Sequence, residues 1–148
     1  MQSRKQWSPG PGAKVLRVTQ TAAGSWIVLA AIADRGICPS CGKRSRHRHG
    51  WRHRRLQDLP AQGETVALRL RVSRWRCTSR DCKRSTFSDQ LPTIAVPYAR
   101  RTKRTAEIAS HLGYSTGGRP GERLMQRLGM PVSDDTILRQ LKRDAASQ

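Results

Sequence analysis

The chain has 148 residues, with 29 lysines and arginines against 10 aspartates and glutamates, so its formal net charge at pH 7 is +19. Hydrophobic residues make up 36% and include a single phenylalanine, so apolar burial is thin and a large core is excluded. The surplus of positive charge, most of it arginine, indicates a polyanionic partner, and we expect neither a small-molecule substrate nor a membrane partner.

The first part of the chain predicts a β-hairpin. Residues 1–13 contain a cluster of proline and glycine and predict a flexible N-terminus. Residues 15–19 and 26–30 predict two strands, with a turn at residues 23–25, and this hairpin would pack apolar residues beneath the first cysteines. The apolar run of the second strand is too short to span a bilayer and no export signal is present, so we expect a cytoplasmic protein.

All four cysteines fall in two close pairs, Cys38 with Cys41 and Cys77 with Cys82. A CxxC pair lets two thiolates reach one metal from a tight turn, and the second pair lies at the wide end of the usual ligand spacing. Two disulfides or four unrelated core thiols are the alternatives, but paired cysteines in a reducing cytosol favour a metal. The sequence therefore predicts a structural Zn²⁺ site made by all four cysteines, which would supply folding energy that the thin core lacks.

Residues 43–57 are crowded with arginine and histidine around Trp51. Trp51 could stack or enter a groove on a phosphate-tracking ribbon, or it could pack inward with Leu56 on a strand whose charges only face solvent. Both interpretations stay open for Trp51, whereas we predict phosphate contact for the arginines and no zinc ligation by the histidines. The arginines of this segment predicted to contact DNA are Arg44, Arg46, Arg48, Arg52, Arg54 and Arg55.

Residues 65–76 alternate between apolar and polar side chains and predict a strand. Its basic face carries Arg69 and Arg71, which could contact DNA, protect an edge strand from aggregation, or do both. The alternation slips near residues 73–74, where a β-bulge would return Trp75 to the core side. A turn at residues 58–63 is predicted before this strand, and Phe87 is predicted to plug the core after it.

Beyond residue 98 the apolar period becomes about three and a half and predicts three helices. The first covers residues 102–112 and stops at Gly113, a glycine-rich loop follows at residues 115–120, and the second covers residues 121–128. Basic side chains at the start of the first helix oppose its dipole, so we predict that they serve a partner. These residues are Arg100, Arg101, Lys103 and Arg104.

Ser133 is a suitable N-cap for the third helix, whose predicted buried stripe is Ile137, Leu138 and Leu141. Two helices joined by a short glycine-bearing turn, the second with a polar outer face, indicate a helix-turn-helix, although such pairs also occur in proteins that bind no DNA. The outward side chains suit base edges and phosphates. The predicted DNA contacts on this helix are Thr136, Arg139, Gln140 and Arg143.

These elements together predict an α+β fold in three parts. They are a flexible N-terminus at residues 1–13, a β-hairpin with a zinc-ribbon-like module at residues 14–92, and a helical helix-turn-helix module at residues 93–148. Positive charge is densest in residues 38–92, with fourteen basic and four acidic residues. The dense charge beside a metal site favours nucleic acid as the polyanion.

Several short motifs follow one another in a specific order. They are Cys38-Pro39-Ser40-Cys41-Gly42, Asp58-Leu59-Pro60, Trp75-Arg76-Cys77, Asp81-Cys82, Phe87 and Pro97-Tyr98-Ala99-Arg100-Arg101-Thr102. They resemble the zinc-finger region of ISL3-type insertion-sequence transposases, and residues 121–139 are similar to the helix-turn-helix that follows it in that family. The resemblance implies a bacterial, nucleoid-associated protein that binds the terminal inverted repeats as double-stranded DNA, as a homodimer or with an intact transposase.

Members of that family continue into an RNase H-like catalytic domain whose acidic residues hold divalent metal, whereas this chain ends at Gln148. Its ten acids are scattered, so we predict no catalytic residues and a truncated transposase that binds DNA without cutting it. Such a chain would block transposition by an intact relative. The alternatives are a stand-alone zinc-ribbon transcriptional regulator or RNA-binding protein, and an enzyme, either a nuclease or a transposase completed by a second polypeptide.

Overall fold

The computed structural model describes residues 8–147, and within this range five strands precede three helices. The chain is therefore α+β, as predicted. Residues 1–7 of the predicted flexible N-terminus lie outside the described residues. The elements are β1 (Ala13–Gln20), β2 (Trp26–Ile32), β3 (Arg48–Ala61), β4 (Glu64–Arg76), β5 (Thr86–Ser88), α1 (Lys103–Thr116), α2 (Gly118–Leu128) and α3 (Asp134–Ala146).

The strands form one mixed sheet in the order β1-β2-β4-β3, with β5 paired to the end of β4. The β1–β2 and β3–β4 pairs are antiparallel, whereas β2 and β4 are parallel. Alternation along β2 and β4 places small and branched apolar side chains on one face of the sheet. That face packs against Leu91, Ile94 and Ala95, which follow β5, and this contact forms the main core.

Most of residues 43–57, the segment in which the sequence left the role of Trp51 open, lies in the strand β3. β3 extends to Ala61, so only Gln62 and Gly63 of the turn predicted at residues 58–63 form the turn. Both residues have positive φ angles of 54° and 77°, as a two-residue hairpin loop requires. Asp58 therefore lies within a strand and is fully buried.

The predicted β-bulge at residues 73–74 is wrong, because the irregularity lies in β3, whose pairing with β4 shifts after Arg48. From Val66 to Trp75 the residues of β4 pair with β3 one after another without an insertion in β4, so Trp75 lies on the face opposite to Val72. Trp75 packs with the predicted core plug Phe87, which is buried, in a small second cluster. The sheet therefore carries the main core on one face and the floor of the cysteine site on the other.

The helices α1 and α2 are longer than predicted. α1 passes through Gly113, and the predicted loop at residues 115–120 is reduced to Gly117, whose φ is 81°. A Cβ at Gly113 would lie 2.3 Å from the side chain of Ile137 on α3, so glycine is needed there for close helix packing and not to end the helix. Within residues 8–147, no helix is long and apolar enough to cross a membrane.

The helices are fastened to the edge strand β3 by polar contacts. Asp58 accepts hydrogen bonds from the Arg104 guanidinium at 2.8 and 2.6 Å and from the Thr102 hydroxyl at 2.8 Å. The neighbouring Gln57 accepts a bond from Arg101 Nε at 2.8 Å and donates through its amide to the carbonyl of Pro131 at 3.0 Å. The start of α1 and the turn before α3 are thus held at one place on the sheet.

Candidate zinc centre and nucleic-acid interface

The first cysteine pair lies in a tight turn between β2 and β3. The Cys38 N–H donates to the Lys43 carbonyl at 3.0 Å, and the Gly42 N–H donates to the Cys38 carbonyl at 2.8 Å. Gly42 has a φ of 74°, which glycine adopts without steric cost. The chain therefore reverses directly after Cys41, and both thiols reach one point.

The second pair lies between β4 and β5. The Cys77 N–H donates to the Ser85 carbonyl at 2.9 Å, and the Cys82 N–H donates to the Ser79 carbonyl at 3.3 Å. These two bonds close a wider turn than the first, because four residues separate Cys77 from Cys82 and only two separate Cys38 from Cys41. Because β4 delivers this turn beside the first one, the two pairs meet although they are distant in sequence.

The four sulfur atoms fit a tetrahedral zinc ion. All lie within 4.8 Å of one another, with Cys38 Sγ 3.9 Å from Cys82 Sγ and Cys41 Sγ 3.7 Å from Cys77 Sγ. Zinc–sulfur bonds of about 2.3 Å in a tetrahedron separate the sulfurs by about 3.8 Å. No second cluster of three or more metal-ligating side chains occurs within residues 8–147. The predicted site is confirmed as a structural Zn²⁺ site.

The pKa values of these thiols depend on the groups packed around them. Burial raises the pKa of Cys38, but hydrogen bonds from the backbone N–H groups of Cys41 and Ser40, together with those from the thiols of Cys41 and Cys77, lower it to about 6. At Cys77 a backbone hydrogen bond from Ser79 lowers the pKa, whereas burial and the neighbouring sulfurs raise it, and the result is a pKa of about 12. Four thiolates this close repel one another, and a divalent cation is what allows all four to ionise together.

The floor of the zinc site is apolar, with one buried carboxylate beside it. Trp75 and Phe87 pack against Cys38 under the sulfurs. Asp89 accepts hydrogen bonds from the backbone N–H groups of residues 35–36 at 3.1 and 2.9 Å, which fixes the loop that leads into the first turn. The sequence analysis missed Asp89, although its position two residues after the inward-facing Phe87 was a signal for burial.

Two further predicted DNA contacts, Arg48 and Arg54, have partners within the protein. Arg48 pairs with Asp34. Arg54 donates to the carbonyls of Val96 and Ala99 at 2.8 and 3.2 Å and so holds the segment that follows the core. Burial, together with repulsion from a neighbouring arginine, lowers the pKa of Arg54, as it does at Arg101 near the start of α1.

Trp51 is 56% exposed, so the interpretation that it packs inward is wrong, whereas Leu56 is buried. The guanidinium groups of Arg48 and Arg71 each lie 5.4 Å from the centre of the Trp51 ring system. The tryptophan therefore organises two arginines on the outer face of the sheet by cation–π contact. The other predicted contacts of this part are exposed or half-buried: Arg44, Arg46, Arg52, Arg55 and Arg69.

Six predicted contacts from the helical part line one cleft of about 380 Å³, which we call the helix cleft. It opens between residues 96–101, the start of α1 and one side of α3. The six residues are Arg100, Arg101, Lys103, Thr136, Gln140 and Arg143. Arg139 is exposed on α3 but does not line the cleft, and Arg104 binds Asp58 instead.

A second cleft of about 760 Å³, which we call the sheet cleft, lies between β3, β4 and β5 on one side and residues 97–100 on the other. It shares the segment Pro97–Arg100 with the helix cleft, so the two form neighbouring cationic depressions. The sequence analysis did not foresee this arrangement, because it depends on how residues 89–102 cross the sheet. The arginines that line the sheet cleft are Arg52, Arg54, Arg55, Arg74, Arg84 and Arg100.

The third helix begins as predicted. The Ser133 hydroxyl accepts a hydrogen bond from the Thr136 N–H at 3.3 Å and caps the helix. Ile137 is buried and Leu141 half-buried, but Leu138 is 46% exposed, so its assignment to the buried stripe is wrong. Leu138 lies beside Gly118 at the start of α2, where no bulky side chain covers it.

Comparison with known proteins gives one match. Residues 34–82 match the family model for the zinc-finger of transposase IS204/IS1001/IS1096/IS1165. The match covers about a third of the chain, contains both cysteine turns together with β3 and β4, and ends on Cys82. No curated protein and no solved structure matches the chain.

Proposed function

From the premise that residues 34–82 are a zinc ribbon of the ISL3 transposase type, we propose that the chain binds double-stranded DNA at the terminal inverted repeats of an insertion sequence. The observation that carries the proposal is the helix cleft, where arginines and a lysine converge with polar side chains of α3. Convergence of cations with side chains that suit base edges is what duplex recognition needs. Scattered surface charges would not gather in this way.

In this proposal zinc acts as the structural centre of the binding unit. The ion holds two turns that flank β3 and β4, and β3 in turn carries Gln57 and Asp58, which fasten the helices. The exposed arginines of the sheet cleft and helix cleft contact phosphates, and α3 acts as the recognition helix of a helix-turn-helix. Phosphate contacts provide most of the affinity, and base contacts provide the specificity.

We assign binding and no strand cleavage to the described residues. Their acids support this assignment because they serve the fold: Asp58 binds Arg104, Asp89 holds a backbone loop, and Asp144 accepts bonds from Ser110 and Gln140. A phosphoryl-transfer site with two metals needs carboxylates that converge on one cavity. The proposal places the protein at the bacterial nucleoid, where it occupies element ends alone, as a homodimer or with an intact transposase.

A band-shift titration tests the proposal with three labelled probes: the terminal repeats of the element, a random duplex of equal length and a structured RNA. We expect the terminal repeats to bind most tightly, with no nicked product when magnesium is added. The logarithm of the binding constant should fall with the logarithm of salt concentration at a slope of about −0.9 for each phosphate contact. Equal affinity for both duplexes, or tighter binding to RNA, would contradict the proposal.

A further inference from the structure

Tyr98 is the most exposed of the large hydrophobic side chains in the described part of the chain, and it also has an unusual backbone conformation. Its φ is 65°, in the left-handed region, and 94% of the residue is exposed. An aromatic residue in this conformation costs about 1 kcal/mol or more relative to glycine or asparagine. Tyr98 belongs to none of the hydrophobic clusters of the described residues, so core packing does not explain why a tyrosine stands here.

The backbone that presents Tyr98 is anchored on both sides. Arg54 donates to the carbonyls of Val96 and Ala99, which flank the tyrosine, at 2.8 and 3.2 Å. The Gln57 N–H donates to the carbonyl of Arg100 at 2.9 Å, which ties the following residues to the edge of the sheet. The strained residue therefore stands on a rigid support, as a residue that contacts a partner needs to.

Tyr98 and the adjacent Pro97 line both clefts, so they form a ridge between them. Arginines lie on the sheet-cleft side of the ridge, among them Arg74 and Arg84, and Lys103 and Arg143 lie on the helix-cleft side. A projecting aromatic side chain with cations on both flanks matches a nucleic-acid groove, whose two phosphate backbones run on either side of the base edges.

We infer that Tyr98 enters the minor groove of the bound duplex, while the sheet cleft and the helix cleft each take one of its two phosphate backbones. The inference rests on the DNA binding proposed above. The minor groove is about 6 Å wide and accepts a single side chain, whereas the major groove of about 12 Å accepts a whole helix. The tyrosine hydroxyl can donate to the acceptors on adenine and thymine that face this groove.

The test uses a duplex of one arbitrary sequence in two forms, one with guanine and one with inosine in place of guanine. The two differ in the minor groove alone, where inosine lacks the guanine amino group. We expect the wild-type protein to bind the inosine duplex more tightly, and we expect this difference to disappear in Tyr98→Ala. On the guanine duplex Tyr98→Ala should raise the Kd about tenfold, the usual scale for a central aromatic contact.

Two variants separate a lost contact from a damaged fold. Tyr98→Gly removes the backbone strain, so it should raise the melting temperature and still lose the same affinity as Tyr98→Ala. Tyr114→Ala removes a side chain that is 85% exposed on α1 and lines neither cleft, and it should leave the Kd unchanged. If Tyr98→Ala binds as tightly as the wild type, the ridge is not in the groove. If the wild type binds no duplex, the proposed function itself fails.

Discussion

Arg104 makes a two-pronged ion pair with Asp58, at 2.8 and 2.6 Å, and so joins the first turn of α1 to the C-terminal part of β3. The aspartate is fully buried, whereas the arginine is partly exposed. The hydrogen bond with Asp58 raises the pKa of the Arg104 guanidinium above its ordinary value, so the arginine keeps its charge across the working pH range. The attachment of α1 to β3 therefore depends on Arg104, although the sequence alone does not distinguish this arginine from the many others.

We expect Arg104→Ala to destabilise the protein by about 2–3 kcal/mol, because it leaves the buried carboxylate of Asp58 without its cation. The exposed side of the guanidinium reduces the loss from the larger values of fully buried pairs. Urea unfolding of the zinc-bound protein measures the change in the free energy of unfolding. The adjacent Lys103→Ala serves as the matched control and should stay within about 0.5 kcal/mol of the wild type. Equal effects of both substitutions would contradict the structural role of the pair.

A second prediction concerns the close contact of α1 and α3. Gly113→Ala should cost about 1–3 kcal/mol, because the added methyl would lie 2.3 Å from Ile137 Cγ2. The matched control is Gly118→Ala at the start of α2, where the new methyl would lie 3.5 Å from its nearest neighbours, an ordinary contact. Thermal unfolding measures both. A Gly113→Ala protein as stable as the control would mean that the helices do not pack as closely as described.

The zinc ligands could be predicted from the sequence, because the spacing within a CxxC turn fixes the geometry locally. The side of the sheet on which Trp75 lies could not, because it depends on β4 continuing without an extra residue while the partner strand β3 carries the irregularity. Gly113 was misread for a similar reason. A glycine that ends a helix and a glycine that admits Ile137 from another helix look the same until the packing is known.

The arginines illustrate a second limit of sequence analysis. Three of the predicted DNA contacts bind acceptors of the protein itself: Arg54, Arg101 and Arg104. Arg143 instead lines the helix cleft, and its side chain makes no hydrogen bond to another described residue. A guanidinium group binds a carbonyl, a carboxylate or a phosphate with the same donors, so composition cannot separate these roles. Only the course of residues 93–102 across the sheet decides which arginine meets which acceptor.

Removal of zinc gives a third prediction. Cys77→Ser, or treatment with a strong chelator, should release the metal, loosen the cluster around Trp75 and abolish DNA binding, because the site holds both turns against a thin core. Metal analysis, tryptophan fluorescence and a band shift follow the three effects. Thr78→Ala, an exposed position next to Cys77 that removes no ligand, is the control. A purified protein that contains no zinc and keeps its fluorescence under chelator would overturn the zinc-centred description.

The two clefts give a fourth prediction. Arg84→Ala in the sheet cleft and Arg143→Ala in the helix cleft should each reduce the steepness of the salt dependence by about 0.9, the contribution of one phosphate contact. Arg127→Ala on α2 is the control, since Arg127 is exposed but lines neither cleft. Fluorescence anisotropy over a range of salt concentrations measures the slopes. A slope that changes as much in the control as in the cleft variants would indicate attraction by net charge alone.

The last prediction separates base reading from phosphate binding on α3. Arg139 is exposed and stands outside the helix cleft, whereas Arg143 lines it. If Arg139 reads a base, Arg139→Ala should reduce the preference for the terminal repeat over a scrambled duplex by about 1–3 kcal/mol. Arg143→Ala should instead weaken binding to both duplexes by the same factor, because a phosphate contact carries no sequence information. Competition titrations with the two duplexes measure both ratios. An Arg139→Ala protein that keeps the full preference would remove this arginine from the recognition surface.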